Sequence, residues 1–398
     1  MSKKESAWKK FIMLGPATIV SVAYIDPGNF GSNIEAGASF GLSLLWVVWL
    51  SSFMAMLFQY LAGKLGIATK KSLLELADQR LKGIARIAYF IPNIMLVFAT
   101  DMAEFLGIVL GLSFLFGIPI ELSIPIGIID VFVLMFASDR KEIFELVIGS
   151  LVAIVGLSYL LELYIVKANV AEVLYKSFIP SLSGYNDALV AISIIGATIM
   201  PHAIILHSYL TKEDNGMSIH RHRVETITNL TIAALINVAI QVLAYYSYYG
   251  KVENVDMNIA YYTLIPLYGV SAALIFAIAL LASGISSSMV SVMAGQKIFE
   301  TAFRRKFKAW HTRAVVRLIN IVPLAFALSL GIRAIDILIY SQAALSIILP
   351  VILFTLVYMT NNKRIMQGFK NSMSVSLVSY TATLIITAFN LLFIALSF

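Results

Sequence analysis

Eleven stretches of this chain run for about 20 residues with scarcely a charge, the length a helix needs to cross a hydrocarbon core of roughly 30 Å. They fall near 12–36, 42–63, 87–116, 118–137, 143–166, 188–210, 227–249, 262–294, 315–332, 334–359 and 373–397. Inside a bilayer every backbone N–H and C=O must find its partner within the segment, so these runs are read as helices. The expected fold class is an all-α polytopic membrane protein with 11 transmembrane helices. A soluble alternative is excluded: 60% of the 398 residues are apolar and 13% are charged, against about 25% charged in an ordinary soluble domain. One soluble core could not hide that surface, because soluble chains of this size divide into domains with polar exteriors. The chain has no cysteine, which removes disulfides, thiolate metal sites and cysteine nucleophiles.

The formal net charge of +7 reflects topology. With the N-terminus in the cytoplasm, 25 of the 29 Lys and Arg lie on the cytoplasmic side, and only Lys167, Lys176, Lys251 and Arg333 lie outside. That is the positive-inside asymmetry. The expectation is a multi-pass protein of the plasma membrane, N-terminus cytoplasmic and C-terminus extracytoplasmic, with the lipid bilayer as partner. Neither a nucleic acid nor an obligatory protein partner is expected. The basic start MSKKESAWKK and the apolar run after it lack a small-residue cleavage pattern, so they read as a tail and a first span. Residues 1–10 form the tail and 11–398 one transmembrane domain.

Two spans carry a break. Asp26-Pro27-Gly28-Asn29 interrupts the first, and Met200-Pro201-His202 interrupts the sixth. A helix-breaking Pro-Gly pair beside a carboxylate at membrane depth is tolerated where it lines a protein cavity. A proline at position i has no N–H for the carbonyl at i−4, so Pro27 frees Ala23 C=O and Pro201 frees Ala197 C=O. Breaks in spans one and six divide ten spans into five plus five, the mark of an inverted-repeat secondary transporter with its site at the midplane. The repeats would cover about 11–166 and 187–359, with an extra helix at about 373–397. A packing kink explains either proline alone; it explains the matched pair poorly.

Together the breaks offer the Asp26 carboxylate, the Asn29 amide, the Ala23 and Ala197 carbonyls and the Met200 thioether. This donor set suits a cation. Mg²⁺ and Ca²⁺ prefer all-oxygen shells, whereas a thioether beside oxygens points to a transition metal such as Mn²⁺ or Fe²⁺. Most of the 15 methionines must be packing residues; Met200 is set apart by its place before the proline. Gln342 in span ten would complete the shell in an occluded state, or would serve as a helix–helix hydrogen bond.

Titratable groups form a second set. Asp101 and Glu104 are three residues apart and share a helix face, as a proton relay would require. His202 follows the span-six break, and His207 serves either a gate or a structural hydrogen bond. Arg313 and Arg317 stand at the start of span nine, where such residues either snorkel or pair with the acids.

On these residues the chain resembles the natural resistance-associated macrophage protein (Nramp) metal transporters. The matching stretches are Gly15-Pro16 through Asp26-Pro27-Gly28-Asn29-Phe30, Ala99 to Glu104, Gly196 to His202 with Leu206-His207-Ser208, Leu281 to Gly284, and Ser341-Gln342. The resemblance implies a LeuT-like 5+5 fold and proton-coupled import of Mn²⁺, Fe²⁺ and similar ions, Cd²⁺ and Co²⁺ included. These ions are cargo, H⁺ is the coupling ion, and no resident cofactor is implied. It implies metal ligands at Asp26, Asn29, Met200 and the carbonyls of Ala23 and Ala197, joined by Gln342 on occlusion. Proton-path roles carry over to Asp101, Glu104, His202 and Arg313. The chain departs from many relatives at Ala203, Thr312 and Ile348. A branch of the family that carries Mg²⁺ lacks the methionine present here as Met200.

The rival readings are a LeuT-fold symporter for an organic substrate such as an amino acid, a Mg²⁺ transporter and a membrane-embedded enzyme. The first would favour glycine-rich breaks with free N–H groups over a carboxylate and a sulfur. No HExxH or GxSxG motif supports an enzyme.

Overall fold

The computed structural model describes residues 15–128, 131, 156–158, 161, 163–164, 166–182 and 184–396. Among them all regular structure is helical. The first half contains α1 (Pro16–Ser21), which tightens into a 3-10 turn at Val22–Ile25, then α2 (Pro27–Phe40), α3 (Leu45–Thr69), α4 (Leu73–Arg80), α5 (Gly83–Phe116), α6 (Ile120–Gly127) and α7 (Val170–Ser177). The second contains α8 (Tyr185–Thr198), α9 (Pro201–Glu213), α10 (Ile219–Tyr248), α11 (Met257–Tyr268), α12 (Val270–Phe303), α13 (Ala309–Ser329), α14 (Ala334–Asn361) and α15 (Met373–Leu396).

Eight of the described helical stretches are long and apolar enough to cross a bilayer when α8 and α9 are taken as one, and Pro16–Ile25 is a shorter apolar helix. The end of the fourth expected span, 118–137, and most of the fifth, 143–166, lie outside the described residues. One expectation needs correction. The run 262–294 is not a single helix: it divides at Gly269, whose φ of 90° is open to glycine but costly for other residues. α11 ends there, and α12 continues alone for 34 residues.

The core is a set of close helix pairs. α5 lies along α12, α2 along α10, α3 along α9, and α8 along α14. Small residues bring the backbones together: a side chain on Gly107 would meet the Pro27 ring, and one on Gly111 would meet Leu281. In a membrane, where apolar burial against lipid gives little drive, such close approach supplies the packing energy. α15 packs on α14, where Asn390 Nδ2 donates to the Ser346 carbonyl at 2.6 Å and Ser346 Oγ donates to Asn390 Oδ1 at 2.8 Å.

Candidate functional site

At the first break the 3-10 turn ends on Asp26, whose extended backbone (φ −88°, ψ 167°) makes it the cap of α2. Pro27 takes the first helical position, where its missing N–H costs nothing. Asp26 Oδ1 accepts the Asn29 backbone N–H at 2.8 Å, as a helix-capping carboxylate should. The carbonyls just ahead are held by neighbouring helices: Asn237 of α10 donates to Tyr24 C=O at 3.0 Å, and Ser283 of α12 donates to Ile25 C=O.

At the second break α8 stops at Thr198, Ile199 and Met200 leave helical geometry, and α9 begins on Pro201. Here the released acceptor is visible directly. Ala197 C=O receives the Asn29 side-chain amide at 2.9 Å, and that same nitrogen donates to Asp26 Oδ1 at 2.9 Å. The Asn29 oxygen is turned instead to the Thr198 hydroxyl, 3.3 Å away. Asp26, Asn29, Ala23, Ala197, Met200 and Gln342 are all buried. Gln342 reaches both breaks, since a methyl on Gly28 would strike its side-chain amide and a methyl on Gly196 its carbonyl. Among the described residues no group of three or more His, Cys, Asp or Glu is arranged to hold a metal. The donors gathered here are one carboxylate with amide, carbonyl and thioether groups.

The acids of α5 form a separate cluster with α13. Arg313 pairs with Asp101 and lies 3.5 Å from Glu104; Arg317 lies 3.5 Å from Asp101 and stacks 4.0 Å above the Phe105 ring. Both arginines are buried, so they pair and do not snorkel. Two members escaped the sequence reading. Asn320 donates to Asp101 Oδ2 at 2.8 Å and to Phe98 C=O at 2.9 Å, and Ser291 of α12 donates to Glu104. Arg313, Arg317 and Asn320 are spaced by four and three residues, one face of a helix, and that spacing was the available signal for Asn320. Ser291 carried none.

The histidines part company. Among the described residues His202 is buried with no hydrogen-bond partner on either ring nitrogen, and it makes no bond to the acids. His207 Nδ1 lies 2.6 Å from Gln59 Oε1, while Gln59 Nε2 donates to the Tyr24 hydroxyl at 2.6 Å. The His207 ring also meets His222 edge-on, centroids 4.9 Å apart. His207 thus lies in a chain of polar groups beneath the first break.

The chain is similar to known proteins over nearly its whole length. A family model described as natural resistance-associated macrophage protein-like matches residues 17–396. The divalent metal cation transporter MntH of Verminephrobacter eiseniae is 39% identical over 394 residues, covering 96% of this chain and 89% of that protein. The Eremococcus coleocola manganese transporter superposes with a TM-score of 0.86 at 27% identity, covering 98% of this chain and 88% of that one. MhsT, solved with L-phenylalanine, shares the fold alone, with a TM-score of 0.65 at 15% identity over 95% of this chain and 98% of that one.

Proposed function

The chain belongs to the natural resistance-associated macrophage protein-like (Nramp) family, and from that premise we infer that it is a secondary transporter importing divalent transition-metal ions such as Mn²⁺. Transport, not catalysis, is the activity. The observation that carries the reading is the meeting of both helix breaks on one buried point, where Asn29 bridges Asp26 and the Ala197 carbonyl. An ion there would take Asp26, Met200, the carbonyls of Ala23 and Ala197, and the Asn29 oxygen, which must rotate inward from Thr198. Gln342, already against Gly28 and Gly196, would close the shell. A lone carboxylate with a sulfur favours Mn²⁺, Fe²⁺, Co²⁺ or Cd²⁺ over Mg²⁺ and Ca²⁺, and gives an organic substrate little to bind.

Protons accompany the metal through Asp101 and Glu104, with Arg313 as their countercharge. Burying four ionisable side chains is expensive in a membrane unless they serve a path for ions or protons. His202, buried and without a hydrogen-bond partner among the described residues, stands two residues after Met200 and would serve the same proton path. The N-terminus faces the cytoplasm of a plasma-membrane protein.

Uptake of Mn²⁺, Fe²⁺, Mg²⁺ and Ca²⁺ into proteoliposomes, with and without an inward proton gradient, tests all of this. Accumulation of Mn²⁺ and Fe²⁺, enhanced by the gradient, is expected. Equal carriage of Mg²⁺ or Ca²⁺ overturns the metal assignment, and indifference to the gradient overturns coupling.

A further inference from the structure

The turn between α14 and α15 carries positive charge with nothing to balance it. After Asp336 the sequence holds no further Asp or Glu, yet Lys363, Arg364 and Lys370 all fall in this turn. Its short helix Lys363–Met366 is capped by Asn362, whose side chain accepts the Arg364 N–H at 2.9 Å. Ile365 and Met366 are buried and the short helix lies against α3, so Lys363 and Arg364 are left exposed, as is Lys370. Beside these cations stand two exposed apolar side chains, Phe369 at 50% and Met373 at 88%. A fourth cation comes from α3. Lys64 is buried; its Nζ donates to Asn371 Oδ1 at 2.9 Å and lies 5.9 Å from the Tyr60 ring. The Asn371 N–H donates to the Thr360 carbonyl at 3.3 Å, which ties the turn to the end of α14. Among the described residues no carboxylate stands at ion-pair distance from any of the four cations, and the buried Asn371 Nδ2 has no acceptor. A lysine that merely snorkels carries its amine out to water. An ammonium with three donors, buried on one neutral acceptor, is costly unless an anion stands near.

We propose that this turn and the adjoining end of α3 bind the headgroup of an anionic phospholipid such as phosphatidylglycerol. The phosphate oxygens accept from Lys363, Arg364 and Lys370, Lys64 adds its charge from the α3 side, and Phe369 and Met373 lie among the acyl chains. Basic clusters beside the cytoplasmic end of a membrane helix attract anionic headgroups in this way. The apolar pair decides the source of the phosphate. Inorganic phosphate would satisfy the cations and leave Phe369 and Met373 in water, whereas a lipid satisfies both. A lipid held here fixes the end of α14, the helix that carries Gln342.

The test is native mass spectrometry of the purified protein titrated with phosphatidylglycerol or phosphatidylcholine, with thermal midpoints measured alongside. The parent should bind phosphatidylglycerol in preference and gain in midpoint from it. Lys363→Gln, Arg364→Gln and Lys370→Gln combined should weaken that binding about 100-fold, at about 5-fold for each cation near a membrane surface. Lys64→Met should weaken it about 5-fold by the same scale, and Phe369→Ser should weaken it as well. A control that removes three cations from the exposed basic loop, Arg305→Gln, Lys306→Gln and Lys308→Gln combined, should keep the parental affinity. Equal loss in that control makes the binding a general attraction to a basic face and overturns the site. Equal binding of the two lipids overturns it too, as does parental affinity in the triple turn variant, whose exposed positions decide the matter even if Lys64→Met fails to fold. Displacement of the lipid by inorganic phosphate, or parental affinity in Phe369→Ser, overturns the lipid as occupant. No metal or proton enters these measurements, so their outcome is independent of the transport reading.

Discussion

The amide nitrogen of Asn29 donates to the Ala197 carbonyl at 2.9 Å, so a side chain from one broken helix occupies the acceptor that a proline has released in the other. The two halves of the site are thereby joined through a group that, on the proposed reading of the site, would turn over to bind a cation, exchanging a donor for an acceptor. On that reading occupation and reorganisation at the breaks would be one event.

Asp26→Ala removes the one carboxylate that the described residues bring to that point and leaves a divalent ion without charge compensation in a dry site. Mn²⁺ uptake into proteoliposomes should vanish. Near-parental uptake would sink the assignment of the site.

Met200→Ala separates the two donor types. Oxygens accept any divalent ion of suitable size, and the thioether alone discriminates by softness. Mn²⁺ transport should survive, Cd²⁺ affinity should fall most, and Ca²⁺ should begin to compete with Mn²⁺. A variant that excludes Ca²⁺ as well as the parent does makes Met200 a packing residue.

The glycines against Gln342 should respond unequally. A methyl on Gly28 meets the movable end of a side chain, whereas one on Gly196 meets backbone. Gly28→Ala is expected to fold with a normal thermal midpoint and lose transport, because Gln342 is pushed off the site. Gly196→Ala should lower the midpoint itself, since α8 and α14 must separate. Equal thermal midpoints for the two variants would refute this distinction.

Arg313→Met strips a buried cation from Asp101 and Glu104. Removing one partner of such a pair costs about 3–5 kcal/mol, read as a fall in unfolding temperature in detergent. The double variant with Asp101→Asn should recover part of the loss, because fewer charges are left uncompensated. No recovery would mean that Arg313 acts by packing alone.

At the basic end of α9, Lys212 pairs with Glu75 of α4 at 2.7 Å. Burial alone raises the Glu75 carboxyl, but the bond to Lys212 and the N-terminal cap with Ser72 outweigh it and hold the pKa below the ordinary 4.5. A carboxyl lowered in the folded state stabilises above its unfolded pKa and loses that contribution as pH falls through the folded value. This contact is therefore intact at neutral pH and lost in acid below about 4.5. Glu75→Gln should flatten the acid limb of a thermal-unfolding series against pH; an unaltered limb would exclude the contribution.

What could be read before folding was whatever violates the surrounding pattern. A carboxylate, a Pro-Gly pair and an amide inside an apolar run announce themselves in one dimension, and so do Asp101 and Glu104. Gly269 does not, because a single glycine in an apolar run is compatible with a continuing helix, and only its positive φ divides α11 from α12. Ser291 was equally hidden: it stands near Ser286, Ser287 and Ser288, and its bond to Glu104 depends on how α12 lies along α5. The orientation of the Asn29 amide is likewise set by contacts 168 residues away.

The seat of Gln342 has a kinetic consequence. One residue of α14 rests on a glycine of each broken helix, so a displacement of α14 leaves both seats together and its return must fill both. A movement of α14 as a body therefore closes both halves around the cargo at once. Occlusion should then be concerted, a single barrier crossed in one step, and time-resolved spectroscopic reporters placed on α2 and α8 should relax with one shared rate constant.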